Sequence, residues 1–551
     1  MQQNIEERIY KRLKEMVAID SVSCSVKEQD IANYFYEFFA SLPYYKTRKE
    51  QFGLYKIPND AFGRTVPYAL LLGNSRNTVV SMGHIDVVGT ESYSELSKKA
   101  YEIGEDLEKA LAAKDMSLEA RADMNSGEWI WGRGVADMKG GHAVHMSLFE
   151  EYAQMAEKGE LPGNLLYIAV PDEESYSVGM REGASIILDL KKKYDLDFKL
   201  LLDPEPTNLR GDAQVMSIGS VGKMMPVVMV QGVTAHVGHC FNGISPLGIL
   251  AGIYNRTNIS LEFSDTYKGE ATVPPTWTNF RDMKELYDVS IPFRASGYFT
   301  FLSFDTTPEQ VMQKLKVISK EVLDQNVQNL DNVYQEYKKR DKFAHMDKIS
   351  YDTKVFTYED LLKELLDKDK VGFEKFYNDE YKKIGDLISS GKLNYPDATI
   401  KMMGTVLNYA DLKQPLVLLG FAPPYYPAIH GDLIKGKENM GTKAYEFVKS
   451  VSESKYGQKM DVENYFMGIS DASYSAMDHP FDYNKFSANT PMWGDLYSLD
   501  FKAIEEIGIP AVIYGPIGKE YHQWTERVNK KSLFQTVPAV TRELFDFLWK
   551  I

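Results

Sequence analysis

The spacing of apolar residues predicts two amphipathic helices in the first forty residues. Ile5, Ile9, Leu13 and Val17 recur at every fourth position with charged residues between them, which is typical of a helix with one buried face. A second helix is predicted over residues 29–40. We therefore expect two helices that each pack one face on a core.

Short apolar runs that end in polar motifs predict strands of an open sheet. These runs cover residues 78–82, 164–170, 199–202 and 510–514, and they lead into GHIDVVG, PDEES, DPEPT and GPIGKEYHQW. Helix-forming stretches separate them, and this alternation indicates an α/β layer architecture. Because ligand sites in open α/β sheets collect at the carboxyl ends of strands, we expect the polar motifs to meet at one edge.

The pattern changes after Gly211. Strand, helix, strand and helix are predicted over residues 223–231, 245–254, 297–304 and 308–322, followed by a Lys-, Asp-, Glu- and Tyr-rich helical elaboration over about 330–415. The α/β pattern then returns. We predict a discontinuous catalytic domain of residues 1–212 and 426–551, interrupted by an inserted α+β domain of residues 213–425.

Composition excludes several classes of protein. A formal net charge of -15 over 551 residues argues against a nucleic-acid binder, which would carry a basic face. Two cysteines cannot build a disulfide scaffold. The chain contains no uncharged apolar run of about 18 residues, and its charged N-terminal stretch lacks the pattern of a signal peptide. We expect a cytoplasmic protein.

Histidines and carboxylates in the polar motifs form a candidate site for a pair of divalent metal ions. Each motif alone has a structural explanation, such as a strand-to-helix turn or an acidic helix start. Together they place two histidines and three carboxylates at strand ends, which suits zinc or a similar ion. With one carboxylate bridging, such a set suits two ions about 3.5–4 Å apart. The candidate ligands are His84, Asp137, one of Asp172, Glu173 and Glu174, one of Asp203 and Glu205, and His522.

These motifs together resemble the M20 (aminoacylase/carboxypeptidase-type) metallopeptidases, and within them the arginine-utilisation, RocB-type branch. The motifs that carry the resemblance run in family order from about residue 80 to residue 530: GHIDVV, GRGVADMKGG, PDEES, EPT, TAHVGH, GISDAS and GIPAVIYGP followed by His522. The resemblance implies a zinc-peptidase-like catalytic domain with a mixed sheet flanked by helices. It also implies that the inserted domain is a ferredoxin-like lid and homodimerisation domain.

The resemblance further implies an activity and a role for each ligand. The activity is hydrolysis of an amide bond in a small N-acyl amino acid or short peptide, in arginine or amino-acid catabolism. His84, Asp137 and Glu205 would hold one ion, and Asp137, Glu174 and His522 the other, so that Asp137 bridges. Zinc is the expected metal, with cobalt and manganese as alternatives.

Three further residues take roles from the same resemblance. Glu173 would be the general base, Asp86 would orient His84, and His236 would stabilise the oxyanion across a dimer interface. The peptide bond between Asp137 and Met138 would be cis. His142 and His145 are interpreted as packing residues, and Asp471 is given no chemistry.

Two assignments have competitors within the sequence. Asp203 competes with Glu205 because both lie in one short turn, and Glu205 is preferred because EPT matches the family pattern. His239 competes with His236, which is preferred because it lies in the TAH motif.

One departure from the family pattern concerns substrate recognition. Many members carry D-x-R on the lid strand, where the Arg holds a substrate carboxylate, but residues 297–304 read GYFTFLSF. Arg294, just before this run, is the candidate substitute.

Two other classes of function would require different residues in these motifs. A non-catalytic binding or regulatory protein on the same fold would have lost Glu173 or a ligand, and all are present. A di-metal phosphoesterase would need basic residues beside the metal ions, for which Arg133 and Lys139 are the candidates.

Overall fold

The computed structural model describes residues 4–551, and we number its helices in chain order. The helices are α1 (Ile5–Val17), α2 (Lys27–Ser41), α3 (Glu105–Ala112), α4 (Leu118–Ser126), α5 (Lys139–Glu157), α6 (Val178–Tyr194), α7 (Pro246–Thr257), α8 (Pro308–Lys338), α9 (Tyr358–Ser389), α10 (Tyr395–Ala410), α11 (Met440–Tyr456), α12 (Tyr483–Ala488), α13 (Phe501–Ile507) and α14 (Val537–Leu548). Shorter 3₁₀ segments cover Pro43–Lys46, Lys49–Gln51, Glu91–Tyr101, Val237–Asn242, Leu261–Phe263 and Asp471–Ser475, and a π turn covers Ser532–Thr536. In the described part of the chain, no helix is both long and apolar enough to cross a membrane.

The strands are numbered in the same way. They are β1 (Phe52–Lys56), β2 (Thr65–Leu71), β3 (Asn77–His84), β4 (Trp129–Trp131), β5 (Asn164–Val170), β6 (Asp197–Asp203), β7 (Leu209–Arg210), β8 (Ala213–Ser217), β9 (Gly219–Ser220), β10 (Gly222–Gln231), β11 (Thr266–Tyr267), β12 (Glu270–Ala271), β13 (Thr276–Asp282), β14 (Arg294–Ser303), β15 (Lys354–Thr357), β16 (Leu416–Tyr426), β17 (Ile429–His430), β18 (Met460–Glu463), β19 (Ala511–Ile513), β20 (Gly518–Lys519) and β21 (Arg527–Asn529).

The first of two compact units carries a mixed sheet. This unit comprises the chain up to Val221 together with Pro427–Asp478 and Leu499–Ile551. Its main sheet has the order β1-β2-β5-β3-β6-β19-β8-β18, with β7 paired to β8. Strands β5, β3, β6 and β19 are mutually parallel neighbours, whereas β1, β2 and β8 introduce antiparallel pairs. The predicted α/β class, with a mixed sheet flanked by helices, is confirmed.

Alternate residues of the central strands face opposite sides of this sheet, as the strand period requires. Leu165 and Tyr167 join a core formed with helices α1, α2, α5, α11 and α14. Val170 faces the other way, where it lies below Gly183 of α6. Both faces of the parallel strands are therefore buried, which explains why these strands read as continuous apolar runs.

The second unit comprises Gly222–Tyr426 and His479–Ser498. Its sheet has the order β13-β14-β10-β16-β15, in which all pairs are antiparallel except β15 with β16. The segment His479–Ser498 belongs here because it packs on this sheet: the Asn489 carbonyl accepts a hydrogen bond from the Phe421 amide at 2.8 Å. The boundaries of the second unit differ from the predicted 213–425 at both ends. Residues 213–217 form β8 of the first unit, and residues 479–498 are part of the second.

The helical elaboration predicted over residues 330–415 builds a second core on the sheet of this unit. It supplies the end of α8, the edge strand β15 and helices α9 and α10. Buried residues of α9 and α10, such as Leu361, Phe373 and Met403, pack with Val227 and Leu418 of the sheet. The elaboration thus contributes to folding of the second unit.

Candidate metal centre

The carboxyl ends of four parallel strands bring the candidate residues to one edge of the sheet. His84 is the last residue of β3, Glu174 follows β5, and Glu205 follows β6; His522 comes after β19 in the chain, in the loop between β20 and β21. Asp137 arrives from the turn between β4 and α5. The five predicted ligands therefore converge, although they are separated by up to several hundred residues in the chain.

The two carboxylate oxygens of Asp137 face two different histidines. Asp137 Oδ1 lies 3.0 Å from His84 Nε2, and Asp137 Oδ2 lies 3.2 Å from His522 Nε2. Each histidine nitrogen also faces one further carboxylate: Glu205 Oε1 at 3.3 Å from His84, and Glu174 Oε1 at 3.1 Å from His522. The side chains form two three-donor groups that share Asp137.

These spacings fit bound divalent ions. Tetrahedral bonds of about 2.0–2.2 Å place neighbouring donor atoms roughly 3.3–3.6 Å apart, which is close to the separations within each group. Ligand atoms of His84, Asp137 and Glu174 also lie within 4.8 Å of one another. Imidazole and carboxylate donors suit zinc and, with lower affinity, cobalt or manganese.

The backbone of Asp86 fixes the ring of His84. The Nδ1 atom lies 3.1 Å from the Asp86 carbonyl oxygen, so an Nδ1–H donor leaves the Nε2 lone pair free toward Asp137. The Asp86 carboxylate is farther away, at 3.6 Å from Nδ1. Its oxygens accept hydrogen bonds from the amides of Glu173 and Glu174, both at 3.1 Å, and from Ser23 at 2.6 Å. Asp86 therefore connects the end of β3, which carries His84, to the acidic loop after β5, which carries Glu173 and Glu174.

Glu526 is a residue of the site that the sequence motifs did not reveal. Its fully buried carboxylate accepts hydrogen bonds from the amides of Ala136 and Asp137, at 3.1 and 3.2 Å, and pairs with Arg133 at 2.5 Å. Arg133 in turn donates to the His522 carbonyl at 3.0 Å. The buried Arg133–Glu526 ion pair thus holds both the turn before Asp137 and the loop that carries His522. His522 itself has a left-handed φ of 63°. The partners of Glu526 lie about 390 residues earlier in the chain, so no local sequence signal could have found it.

The turn that delivers Asp137 has two special backbone features. The Asp137–Met138 peptide bond is cis, as the resemblance implied. Gly134 has φ 75°, and a Cβ there would lie 2.8 Å from the Val87 side chain, so this turn requires glycine.

The electrostatic surroundings of Glu173 suit proton transfer. Removal of its carboxylate from water raises its pKa well above the ordinary value; His84 opposes this rise, whereas Glu174, Glu205 and Asp471 add to it. A raised pKa makes the ionised carboxylate a stronger base than that of an ordinary glutamate.

The histidines on α5 pack in the core, as interpreted from the sequence. His142 contacts the Tyr167 hydroxyl and the His84 carbonyl, both at 2.7 Å, and His145 contacts Ser81 at 2.6 Å. Both are buried.

His236 and His239 lie in the second unit, after β10, and both are exposed. The His236 Nδ1 accepts a hydrogen bond from the Gly238 amide at 3.0 Å, and the two imidazole rings are 6.1 Å apart. The role of His236 stays a prediction.

Arg294 is committed to contacts inside the second unit. Its guanidinium donates to the Gln231 side chain at 2.8 and 3.0 Å, to the Gly404 carbonyl at 3.0 Å and to Asn408 at 2.6 Å. It is largely buried. These bonds join strands β10 and β14 to α10, so the sequence-based suggestion that Arg294 replaces a carboxylate-binding lid arginine has no support in this unit.

The two cations considered for a phosphoesterase are also engaged. Arg133 serves Glu526 and the His522 loop, and the buried Lys139 donates to the Met16 and Ile19 carbonyls at 3.1 and 2.8 Å. Neither guanidinium nor ammonium is free to hold a phosphate, so a phosphoesterase is disfavoured.

The geometry also separates the two acids of the DPEPT turn. Glu205 faces His84, whereas Asp203 ends β6 and accepts a hydrogen bond from Ser470 at 2.5 Å.

We expect Glu205→Ala to lower the bound metal from two ions to one per chain, and Asp203→Ala to retain two. Elemental analysis of the purified variants measures this. A greater loss of metal in Asp203→Ala would move the ligand to Asp203.

Comparison with known proteins decides the family. The model of the peptidase family M20/M25/M40 matches residues 80–544, which include all five candidate ligands. The chain belongs to this family. Membership makes it an enzyme of the M20 metallopeptidase type, as the motifs had indicated.

Two relatives from Bacillus subtilis strain 168 match over nearly their full length. The chain is 28% identical to YqjN over 534 residues, covering 96% of this chain and 93% of the relative. It is 28% identical to protein RocB over 557 residues, covering 98% and 94%. The predicted similarity to the RocB branch is confirmed.

Solved structures of peptidases share the fold. A tripeptidase from Staphylococcus aureus matches with a TM-score of 0.53 at 14% identity, covering 99% of both chains. The dipeptidase Dug1p from Saccharomyces cerevisiae matches with a TM-score of 0.51 at 11% identity, covering 99% of this chain and 98% of the other. At such identities the likeness concerns the fold alone.

Proposed function

We propose that this M20 enzyme is a two-metal hydrolase that cleaves an amide bond in a small N-acyl amino acid or a short peptide. The observation that carries the proposal is the carboxylate of Asp137, whose two oxygens face His84 and His522 separately. A shared carboxylate between two histidine-carboxylate groups suits two ions that act on one substrate.

Each side chain has a part in this proposal. His84, Asp137 and Glu205 would hold one ion, and Asp137, Glu174 and His522 would hold the other. Two divalent ions bound here would polarise the scissile carbonyl and lower the pKa of water at the site.

Glu173 supplies the proton transfers of the proposed reaction. Its carboxylate removes a proton from the attacking water as the water oxygen bonds to the carbonyl carbon. The same group then delivers that proton to the leaving nitrogen as the C–N bond breaks. Asp86 supports this step because it holds the amides of Glu173 and Glu174.

His236 is proposed to stabilise the negative charge that develops on the carbonyl oxygen. An imidazole delivered by the inserted domain would do so in a homodimer, as the family resemblance implied. The homodimer and the cytoplasmic location stay predictions, as does zinc as the native metal. Similarity to RocB supports a context in arginine or amino-acid catabolism.

Carboxypeptidase-like recognition of a substrate carboxylate is not part of the proposal. The strand β14 carries no arginine beyond Arg294, and that side chain is bound to Gln231, Gly404 and Asn408.

The leading alternative is a catalytically silent binding protein. The chain retains Glu173 and a complete donor set, which such a protein would not need.

Activity against a panel of N-acyl amino acids and dipeptides tests the proposal. Enzyme stripped with a chelator is expected to be inactive, and added Zn²⁺, Co²⁺ or Mn²⁺ is expected to restore turnover of at least one amide. Release of free amine measures the reaction, with the metal salts alone as the control. Equal turnover by stripped and reloaded enzyme would refute a metal-dependent hydrolase.

A further inference from the structure

The acidic loop after β5 is wound around Asp172. The Asp172 carbonyl accepts hydrogen bonds from the amides of Ser175, Tyr176 and Ser177, at 3.3, 3.1 and 2.6 Å. Its Oδ2 accepts one from the Val178 amide at 3.2 Å, and its φ is 75°. Because Glu173 and Glu174 lie inside this turn, their direction depends on how Asp172 is held.

Arg64 holds the other oxygen of Asp172. Its Nη1 donates to Asp172 Oδ1 at 2.6 Å and to Glu28 at 2.9 Å, while Nε and Nη2 donate to Asp60 at 3.1 and 2.7 Å. Arg64 is 4% exposed and Asp172 is 1% exposed. A planar guanidinium with all three nitrogens engaged in a buried site has a fixed orientation.

The loop is therefore held from two sides. The Asp86 carboxylate accepts hydrogen bonds from the amides of Glu173 and Glu174. The Arg64–Asp172 pair fixes the turn that contains both of these residues. No sequence motif pointed to Arg64, which lies 108 residues from Asp172. Displacement of a reacting group by about 1 Å can cost roughly 10²-fold in rate, so the orientation of this loop matters for chemistry.

We infer that Arg64 is a positioning residue for the reaction: through Asp172 it sets the direction of the Glu173 carboxylate and of the Glu174 ligand. This inference rests on the proposed function. Arg64 acts through the turn and makes no contact with substrate in this scheme, so its effect must vanish when Asp172 can no longer transmit it.

Arg64→Gln is the direct test, with two readouts. Titration with Zn²⁺ alone is expected to show about tenfold weaker binding of one of the two ions, because outer-shell partners typically contribute 10–100-fold to metal affinity. With metal saturating, kcat on the best dipeptide of the panel is expected to fall roughly 10- to 100-fold, with KM changed less than about threefold.

Arg12→Gln is the matched control. Arg12 also forms a partly buried ion pair in the first unit, with Glu150 at 2.8 Å, but this pair joins α1 to α5. Its loss is expected to lower the melting temperature while Zn²⁺ affinity and kcat stay within about twofold of wild type.

A double-mutant cycle with Asp172→Ala, which removes the oxygen that accepts from Arg64, tests the route of the effect. If Arg64 acts through Asp172, the double variant loses no more Zn²⁺ affinity or kcat than the more damaged single variant. Arg64→Lys, which keeps the charge but not the forked geometry, is expected to fall between wild type and Arg64→Gln, and it serves as the test protein if Arg64→Gln does not fold.

Several results would overturn the inference. One is an Arg64→Gln protein whose Zn²⁺ affinity and kcat equal those of wild type. Another is a double variant whose losses of Zn²⁺ affinity and kcat are the sum of those of the two single variants. A lowered melting temperature with unchanged kcat and Zn²⁺ affinity would also overturn it, since Arg64 would then be purely structural. Wild-type protein that neither binds Zn²⁺ nor cleaves any amide would refute the proposed function and the inference together, whereas an active wild type with an unaffected Arg64→Gln refutes the inference alone.

Discussion

Glu173→Gln is expected to lower kcat by roughly 10²- to 10⁴-fold while two metal ions stay bound. The amide cannot accept a proton from water, and the two histidines of α5 are not available to replace it, because His142 and His145 are buried and bound to Tyr167 and Ser81. Steady-state kinetics on the best substrate, with elemental analysis of the same sample, measures both quantities.

Glu160→Gln is a suitable control for this variant. Glu160 is exposed and lies just before β5, at the opposite end of the strand from Glu173, so the same chemical change is made outside the site. Its kinetics should match wild type. Retained activity in Glu173→Gln with a full complement of metal would exclude Glu173 as the base. Loss of metal together with activity would make Glu173 a ligand.

Asp137→Ala is expected to remove both ions, whereas Glu174→Ala and Glu205→Ala should each remove one. The reason is geometric: Asp137 is the donor that faces both histidines, through Oδ1 and Oδ2. Turnover should fall roughly 10³-fold or more, because two-ion chemistry supplies several kcal/mol of stabilisation to the transition state. Elemental analysis and Zn²⁺ titration measure the number of ions.

The exposed Asp106, in α3 of the same unit, provides the control as Asp106→Ala. It should bind two ions and keep wild-type turnover. An Asp137→Ala protein that still holds two ions would contradict the bridging role. Loss of only one ion would place Asp137 in a single metal site.

Much of the α/β architecture could be predicted from local pattern. Continuous apolar runs indicated strands β3, β5, β6 and β19, and the four-residue spacing of apolar residues from Ile5 to Val17 indicated helix α1. These signals are local because burial on both faces demands an unbroken apolar run, and a one-sided helix demands a period near 3.6. The motifs that follow the strands carried the ligand types and their order.

Local pattern could not predict how distant segments pair. Asn489 joins the second unit through the backbone of Phe421, so a segment placed in the catalytic domain by its position in the chain folds elsewhere. Arg294 looked available beside an apolar strand, but Gln231 and Asn408 occupy its guanidinium. Such pairings depend on three-dimensional proximity, which periodicity does not report.

The sequence by itself determined the family, the class of fold and the chemical types of the donor set, because each is written in contiguous motifs. Only the tertiary structure decided that Asp137 faces both histidines, that Glu205 rather than Asp203 lies beside His84, and that Glu526 and Arg64 hold the loops of the site. The physical reason is that a motif specifies what an atom can bind, whereas folding specifies which atom reaches it.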